Sequence, residues 1–385
     1  MSVKIIHICE DEKFINSAIM QFEFCFSGCN TFYVVQSQIK TDFVHVKPQE
    51  FVHPCTKKQL INIAETIEKS VIVVLHSLSV PFYDFVLQLP KENPVVWFCF
   101  GFEVYNDKNY YKTQNLFDKI TWSKFPDLQV SQKKRIKELI RPYYRLVNKR
   151  LPLSSQEYKR KVIKRIDFLG SSFKEEFDFV SKLIKEKKYF FDYWYYPIEQ
   201  ILNVSASFKP LKKTILIGNS GTNTGNHLDV FDKIKSFNLI AEQIVVPLNY
   251  GDSRYIDIIL NEGQLHFSDK FLPLRQFISL QEYNTILEEV GIAIFNNRRQ
   301  QAIGNTIALL WLGAKVFLSK QNSFYDFLKR TGIYIYCYET DLNEQSCNQF
   351  LSLEQVEHNK TILFSLLNQE KLAVELQNQI YRINV

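Results

Sequence analysis

No apolar run in this 385-residue chain approaches the ~20 residues that a membrane-spanning helix requires. The longest are Val71–Leu75, Val95–Phe102 and Ile307–Ala314. The first two have the length of buried strands, and the third reads as a core helix. The opening residues, MSVKIIHICEDEK, run straight into a strand-like stretch and lack the apolar core and cleavage site of a signal peptide. Cysteine supplies no disulfide framework. The seven, Cys9, Cys25, Cys29, Cys55, Cys99, Cys337 and Cys347, are odd in number and scattered, as reduced thiols are. Cys25, Cys29, His53 and Cys55 can be drawn as a zinc site, but their spacing fits no familiar zinc module, and buried apolar cysteines are the preferred reading. The sequence contains no GK[ST] phosphate loop, no dinucleotide fingerprint at the glycine-rich stretch discussed below, and no internal repeat. No D-x-D motif stands at a strand end near the polar loops described next, so no divalent metal is expected there.

The composition is that of a globular protein, with 46% hydrophobic and 23% charged residues and enough length for two α/β domains. Charge is unevenly spread. Ser131–Arg165 carries thirteen Lys/Arg against Glu138 and Glu157, a local charge of +11 in a chain of net +6. The rest is therefore acidic, and the basic amphipathic stretch suggests an anionic partner: a membrane surface, a lipid diphosphate or nucleic acid. A solvated helix face is the plainer alternative. Lys133, Lys134, Arg135 and Lys137 are the residues expected to face a membrane.

Along the chain, strand-like runs alternate with helix-like ones, which implies βαβ units and mainly parallel sheets. Strands are expected at Val3–Cys9, Phe32–Val35, Val71–Leu75 and Val95–Phe102, then at Thr214–Ile217, Gln243–Pro247, Gly291–Asn296, Lys315–Leu318 and Ile333–Tyr336. Gln355–Ile380 reads as one long closing helix. The domains expected are residues 1–165, residues 166–345, and a closing segment, 346–385, that packs back toward the first domain.

Three loops of the second half lie between a strand and a helix, where open α/β sheets bind ligands. Gly218–His227 (GNSGTNTGNH) offers close backbone approach and neutral donors, though alone it is equally an ordinary turn. Pro247–Asp252 (PLNYGD) is likewise a turn if taken singly. Phe295–Thr306 (FNNRRQQAIGNT) combines two arginines, two glutamines and a Gly-Asn-Thr helix start, groups suited to a diphosphate and sugar hydroxyls without a metal. In the first half, Val96–Tyr105 sets Glu103 just beyond a strand end, where a carboxylate can act as general base. A strand followed by an unremarkable Glu is the commoner case.

These loops, together with Tyr255-Ile256 and the WFCFGFEVY of Trp97–Tyr105, resemble one family: the TDP-N-acetylfucosamine:lipid II N-acetylfucosaminyltransferases, glycosyltransferase family 56, of enterobacterial common antigen synthesis. The family's W-x-x-W-G-x-D-x-Y element has Phe100 and Glu103 here in place of Trp and Asp. The resemblance runs from about Val3 to Tyr336 and is firmest from Thr214 to Leu318. It implies a GT-B-like α/β fold, two Rossmann-like doubly wound domains facing a cleft. It also implies a TDP-4-acetamido-4,6-dideoxyhexose donor, an undecaprenyl-diphosphate-linked acceptor, and work at the cytoplasmic face of the bacterial inner membrane without a cofactor or nucleic acid. Gly218, Asn219, Ser220, Tyr250, Arg299, Gln300, Gln301, Gly304, Asn305 and Thr306 are the expected donor contacts. Glu103 is the expected base, with His7, Asp11 and His76 behind it. An epimerase of the same fold and a basic nucleic-acid-binding protein remain the rival readings.

Overall fold

The computed structural model describes residues 3–39, 42–125, 153–202, 204 and 213–383. The chain divides into two α/β units. Met1–Tyr111, Asp127–Tyr195 and Glu370–Val385 form the first; Lys112–Pro126 and Tyr196–Gln369 form the second.

The sheet of the first unit holds β1 (Ile5–Cys9), β2 (Asn30–Gln36), β3 (Val52–Thr56), β4 (Ile72–Leu75), β5 (Val95–Phe98), β6 (Phe168–Ser171) and β7 (Tyr189–Asp192). Every pairing is parallel, in the order β3-β2-β1-β4-β5-β6-β7. Helices cover both faces, so the central strands are buried on both sides and read as unbroken apolar runs: each residue of β4 and β5 is buried. The expected boundary at 165/166 is corrected, because β6 and β7 extend this sheet through β5. Their sequences, FLGS and YFFD, are too short to declare themselves. β3 was also missed; VHPCT at the sheet edge lacks the apolar density of a central strand.

The second sheet holds β8 (Thr214–Ile217), β9 (Gln243–Pro247), β10 (Phe271–Leu274), β11 (Val290–Phe295), β12 (Lys315–Leu318) and β13 (Tyr336–Cys337). It is also parallel, in the order β10-β9-β8-β11-β12-β13. β10 contains Pro273, which an edge strand tolerates because one side needs no partner. The last strand falls later than expected, at Tyr336–Cys337.

The closing segment is two helices, not one. Asn368, with extended ψ of 152°, ends Leu353–Leu367, and Gln369–Ile383 follows. The first packs on the helix Ile303–Trp311 of the second unit. The second buries Leu376 and Ile380 with Ile5, Phe22 and Phe26 of the first unit.

The helix Ser155–Arg165 is the described end of the basic stretch. A capping box joins Ser154 to Glu157, and Val162 and Ile163 are buried. Its cations are partly spent internally: Lys159 pairs with Asp107 at 2.8 Å, and Arg165 donates to the carbonyls of Pro90 and Asn93. Lys133, Lys134, Arg135 and Lys137 lie outside the described residues.

Candidate active site

In the second sheet the strand order reverses between β8 and β11, with β9 and β10 to one side and β12 and β13 to the other. The loops leaving such a pair diverge and open a crevice at the carboxyl edge of the sheet. The GNSGTNTGNH loop leaves β8, and the NNRRQQA loop leaves β11.

Tight backbone approach draws the third loop in. Gly221 N donates to the Tyr250 carbonyl at 2.7 Å, and Asp252 N donates to the Gly221 carbonyl at 3.1 Å. Gly251 has φ of +142°, and a Cβ there would lie 2.1 Å from the Gly221 carbonyl carbon. Gly218 has φ of +68°, and its Cβ would strike His227 Nε2 at 2.2 Å. Neither position admits a larger residue without displacement.

The polar residues divide into two sets. One is structural. Arg298 pairs with Asp118 at 2.7 Å and donates to the Phe117 carbonyl. Asn226 donates to the carbonyls of Asn296 and Leu116 and accepts from Asp118 N. Asp229 accepts from Ile120 N, Thr121 N and the Thr121 hydroxyl. These bonds bind residues 116–121 to the loops, so two nitrogens of the Arg298 guanidinium are engaged within the fold.

The other set lines the crevice. Gln301 Nε2 donates to Asn219 Oδ1 and Thr222 Oγ1, both at 3.3 Å, while its Oε1 accepts from Thr224. This one side chain knits the β8 and β11 loops. Ser220 is buried, with its hydroxyl 3.0 Å from that of Thr222. Asn305 donates to the Tyr283 phenol. Among the described residues, buried Gln300 Oε1, Thr306 Oγ1, Asn297 Oδ1 and His227 Nε2 have no hydrogen-bond partner. Buried polar atoms are seldom left so, and a cluster at one loop marks a place where a ligand completes the bonding. Burial holds His227 neutral, its pKa lowered to about 4.

The helix Ile303–Trp311 starts here. Ala302, at its N-cap, is left-handed (φ 60°), and no side chain caps the first turn. Its N–H groups and the positive end of the helix dipole are thereby presented for an anion. A methyl added at Gly304 would meet nothing within 4 Å among the described residues beyond its chain neighbours and its own helix backbone. Nine of the ten expected donor residues thus belong to, or directly adjoin, the β8–β11 crevice; Tyr250 stands on the β9 loop. Arg299 is half-buried on the β11 loop.

The family described as 4-alpha-L-fucosyltransferase, glycosyl transferase group 56, matches residues 164–378, more than half the chain and all three loops. The chain belongs to that family. It is a glycosyltransferase, and solved structures carry the same two-domain GT-B fold. An alpha,alpha-trehalose-phosphate synthase (UDP-forming) from Burkholderia vietnamiensis superposes with TM-score 0.64 at 8% identity, covering 100% of this chain and 99% of that one. The N-terminal domain of Candida albicans trehalose-6-phosphate phosphatase gives 0.64 at 10% identity, covering 100% and 98%. An E. coli structure bound with UDP-2-fluoro glucose gives 0.63 at 8%, covering 99% of each. At such identities the likeness is one of fold.

In the first unit of this glycosyltransferase the strand order reverses between β1 and β4. His7 and His76 are buried at 0% and 1% exposure, and burial depresses both pKa values, that of His7 to about 3. They form an internal chain. His7 Nδ1 lies 3.0 Å from His76 Nε2, His7 Nε2 lies 3.3 Å from Asn30 Oδ1, and His76 Nδ1 lies 2.8 Å from the Tyr195 hydroxyl. Neither ring meets solvent directly. Asp11 accepts from Val44 N, His45 N and Val46 N; burial pulls its pKa up, but these bonds outweigh it and the net shift is downward. It organises a loop. Glu103 is buried, accepts from Leu78 N and Trp97 Nε1, and has its pKa raised by burial against those hydrogen bonds.

The sequence reading passed over Glu10. It follows β1 directly, is partly exposed, and accepts from the Ser79 hydroxyl at 2.8 Å. The available signal was its position, the first carboxylate beyond the strand end. Cys25, Cys29, His53 and Cys55 do not converge: among the described residues no three His, Cys, Asp or Glu side chains come together to hold a metal.

Proposed function

We propose that this glycosyltransferase moves a 4-acetamido-4,6-dideoxyhexose from a TDP-sugar to an undecaprenyl-diphosphate-linked saccharide in surface polysaccharide synthesis. It would work peripherally at the cytoplasmic face of the inner membrane. The observation that carries the donor half is the uncapped start of Ile303–Trp311, open at Gly304 and beside unpartnered Gln300 and Thr306 oxygens. A diphosphate there gains the helix N–H groups and the Arg299 guanidinium. Both strengthen as charge moves onto the leaving TDP, the assistance that a metal supplies in other enzymes. The acceptor half rests on the family and on the basic stretch, which suits an anionic membrane.

Transfer breaks the bond from the sugar's anomeric carbon to the diphosphate and forms one to an acceptor hydroxyl, whose proton passes to a carboxylate. Glu103 is the base that the sequence motif points to. Exposure favours Glu10, since a base has to reach the acceptor. The two are linked through one loop: Glu103 holds Leu78 N, and Ser79 holds Glu10. On this reading Glu103 positions and Glu10 reacts. Glu10→Gln is expected to lower kcat by at least about 100-fold with TDP affinity unchanged. An unaffected kcat returns the role to Glu103.

The deciding experiment is a calorimetric screen of TDP-, UDP- and GDP-sugars with magnesium and with EDTA. TDP-sugar binding and turnover that persist in EDTA are expected. Loss in EDTA restored by magnesium or manganese excludes the metal-free diphosphate site, and binding of none of the three excludes the donor reading.

A further inference from the structure

The second unit exposes an aromatic pair that the diphosphate site does not use. Tyr250 follows β9 and is 49% exposed; Phe277 follows β10 and is 74% exposed. Their rings lie 11° from parallel with centroids 6.3 Å apart. Other large apolar side chains are exposed too, but these two stand parallel on adjacent strand ends, and covering either would be worth roughly 1.5–3 kcal/mol. They are held in place from below. Leu248 N donates to the Leu274 carbonyl, which ties the ends of β9 and β10 together, and the Tyr250 carbonyl accepts from Gly221 N. That last bond sets the Tyr250 loop against the β8 loop that borders the crevice. Tyr283 accepts from Asn305, which follows Gly304 at the helix start.

We propose that Phe277 and Tyr250 form the stacking platform for the donor's pyrimidine base. The donor then lies along the carboxyl edge of the sheet, with its base over the β9 and β10 ends, its diphosphate at Gly304 between β8 and β11, and its sugar beyond. This rests on the donor reading above. A flat ring system is the occupant because the platform offers two near-parallel aromatic faces. It also adjoins an anion site, the two features a nucleoside diphosphate joins in one molecule. Stacking is tolerant of base identity, so discrimination among bases belongs to the surrounding loop edges.

The test compares Phe277→Ala with the wild-type chain, using TDP and inorganic pyrophosphate as probes in calorimetry. Phe277 is exposed, so the melting temperature should not move. TDP affinity should fall roughly 5- to 150-fold, the range for loss of one base–aromatic stack, while Phe277→Trp retains it. Pyrophosphate affinity should be the same in all three chains. In saturation-transfer NMR the base methyl and H6 protons of TDP should receive the strongest transfer in the wild type and lose it in Phe277→Ala. If Phe277→Ala binds TDP as tightly as the wild type while Arg299→Ala binds it weakly, the platform is wrong and the donor site stands. If the wild type binds neither TDP nor UDP, the donor reading and the platform fall together.

Discussion

Gly304→Ala separates binding from stability at the residue where the two oppose one another. In a helix, alanine is favoured over glycine by roughly 0.8–1 kcal/mol, and somewhat less in the first turn. Beyond its own helix backbone and chain neighbours the added methyl meets nothing within 4 Å among the described residues, so no tertiary clash offsets that gain. For a unit of this size the melting temperature should stay level or rise by about 1–3 °C. On the proposed reading the same open space lets a diphosphate reach the first-turn N–H groups. A methyl there holds phosphate oxygens beyond hydrogen-bonding range of at least one N–H. Bonds to a charged group contribute about 1.5–3 kcal/mol each, so TDP should bind roughly 10- to 150-fold more weakly. Calorimetry with TDP and a thermal melt on the same preparation read both quantities. Gly251→Ala is the contrasting control, because its Cβ would meet the Gly221 backbone at 2.1 Å, and it should lose stability. A Gly304→Ala chain that melts as expected and binds TDP like the wild type refutes the assignment of the diphosphate to this helix.

Arg299→Ala should weaken TDP by roughly the cost of one charge-assisted contact, about 1.5–3 kcal/mol, and lower turnover with little change in melting temperature; unchanged affinity with a normal melt moves the donor site to another loop. Replacing Lys133, Lys134, Arg135 and Lys137 with Gln should weaken sedimentation with anionic liposomes by ~1 kcal/mol per residue removed from the surface; equal sedimentation leaves that stretch as a solvated face. The buried histidines set an acid limit on stability. His227 and His7 have folded pKa values lowered to about 4 and about 3, and that of His76 is also depressed. The unfolded chain binds these protons near pH 6.5 and the folded chain does not. Stability is therefore full above that value and falls as pH drops through the window toward 4, by about 1.4 kcal/mol per pH unit for each histidine. Urea midpoints at pH 7.5 and pH 5 should show a steeper decline in the wild type than in His227→Asn, and equal slopes would contradict the assignment.

The parallel α/β class and most central strands are legible in the residues alone. β8, β9, β11 and β12 are buried along all or nearly all of their length, so each is a mostly apolar run that is legible without its partners. The sequence also marked the loops, because glycine, asparagine, arginine and glutamine accumulate where strands end. The edge strands β3 and β10 stayed hidden: a strand paired on one side tolerates His53, Pro54 or Pro273, and local pattern then falls silent. Nor did neighbouring residues reveal that Lys112–Pro126 belongs with the second unit, or that Arg298 is tied to that segment. Asp118 claims Arg298, and Thr121 claims Asp229, across more than 100 positions of chain. A single sequence reports the chemistry of a side chain and its immediate periodicity. Which carboxylate meets Arg298, and which glycines the backbone crowds, depends on chain segments that the sheet brings close, and no local pattern carries that information.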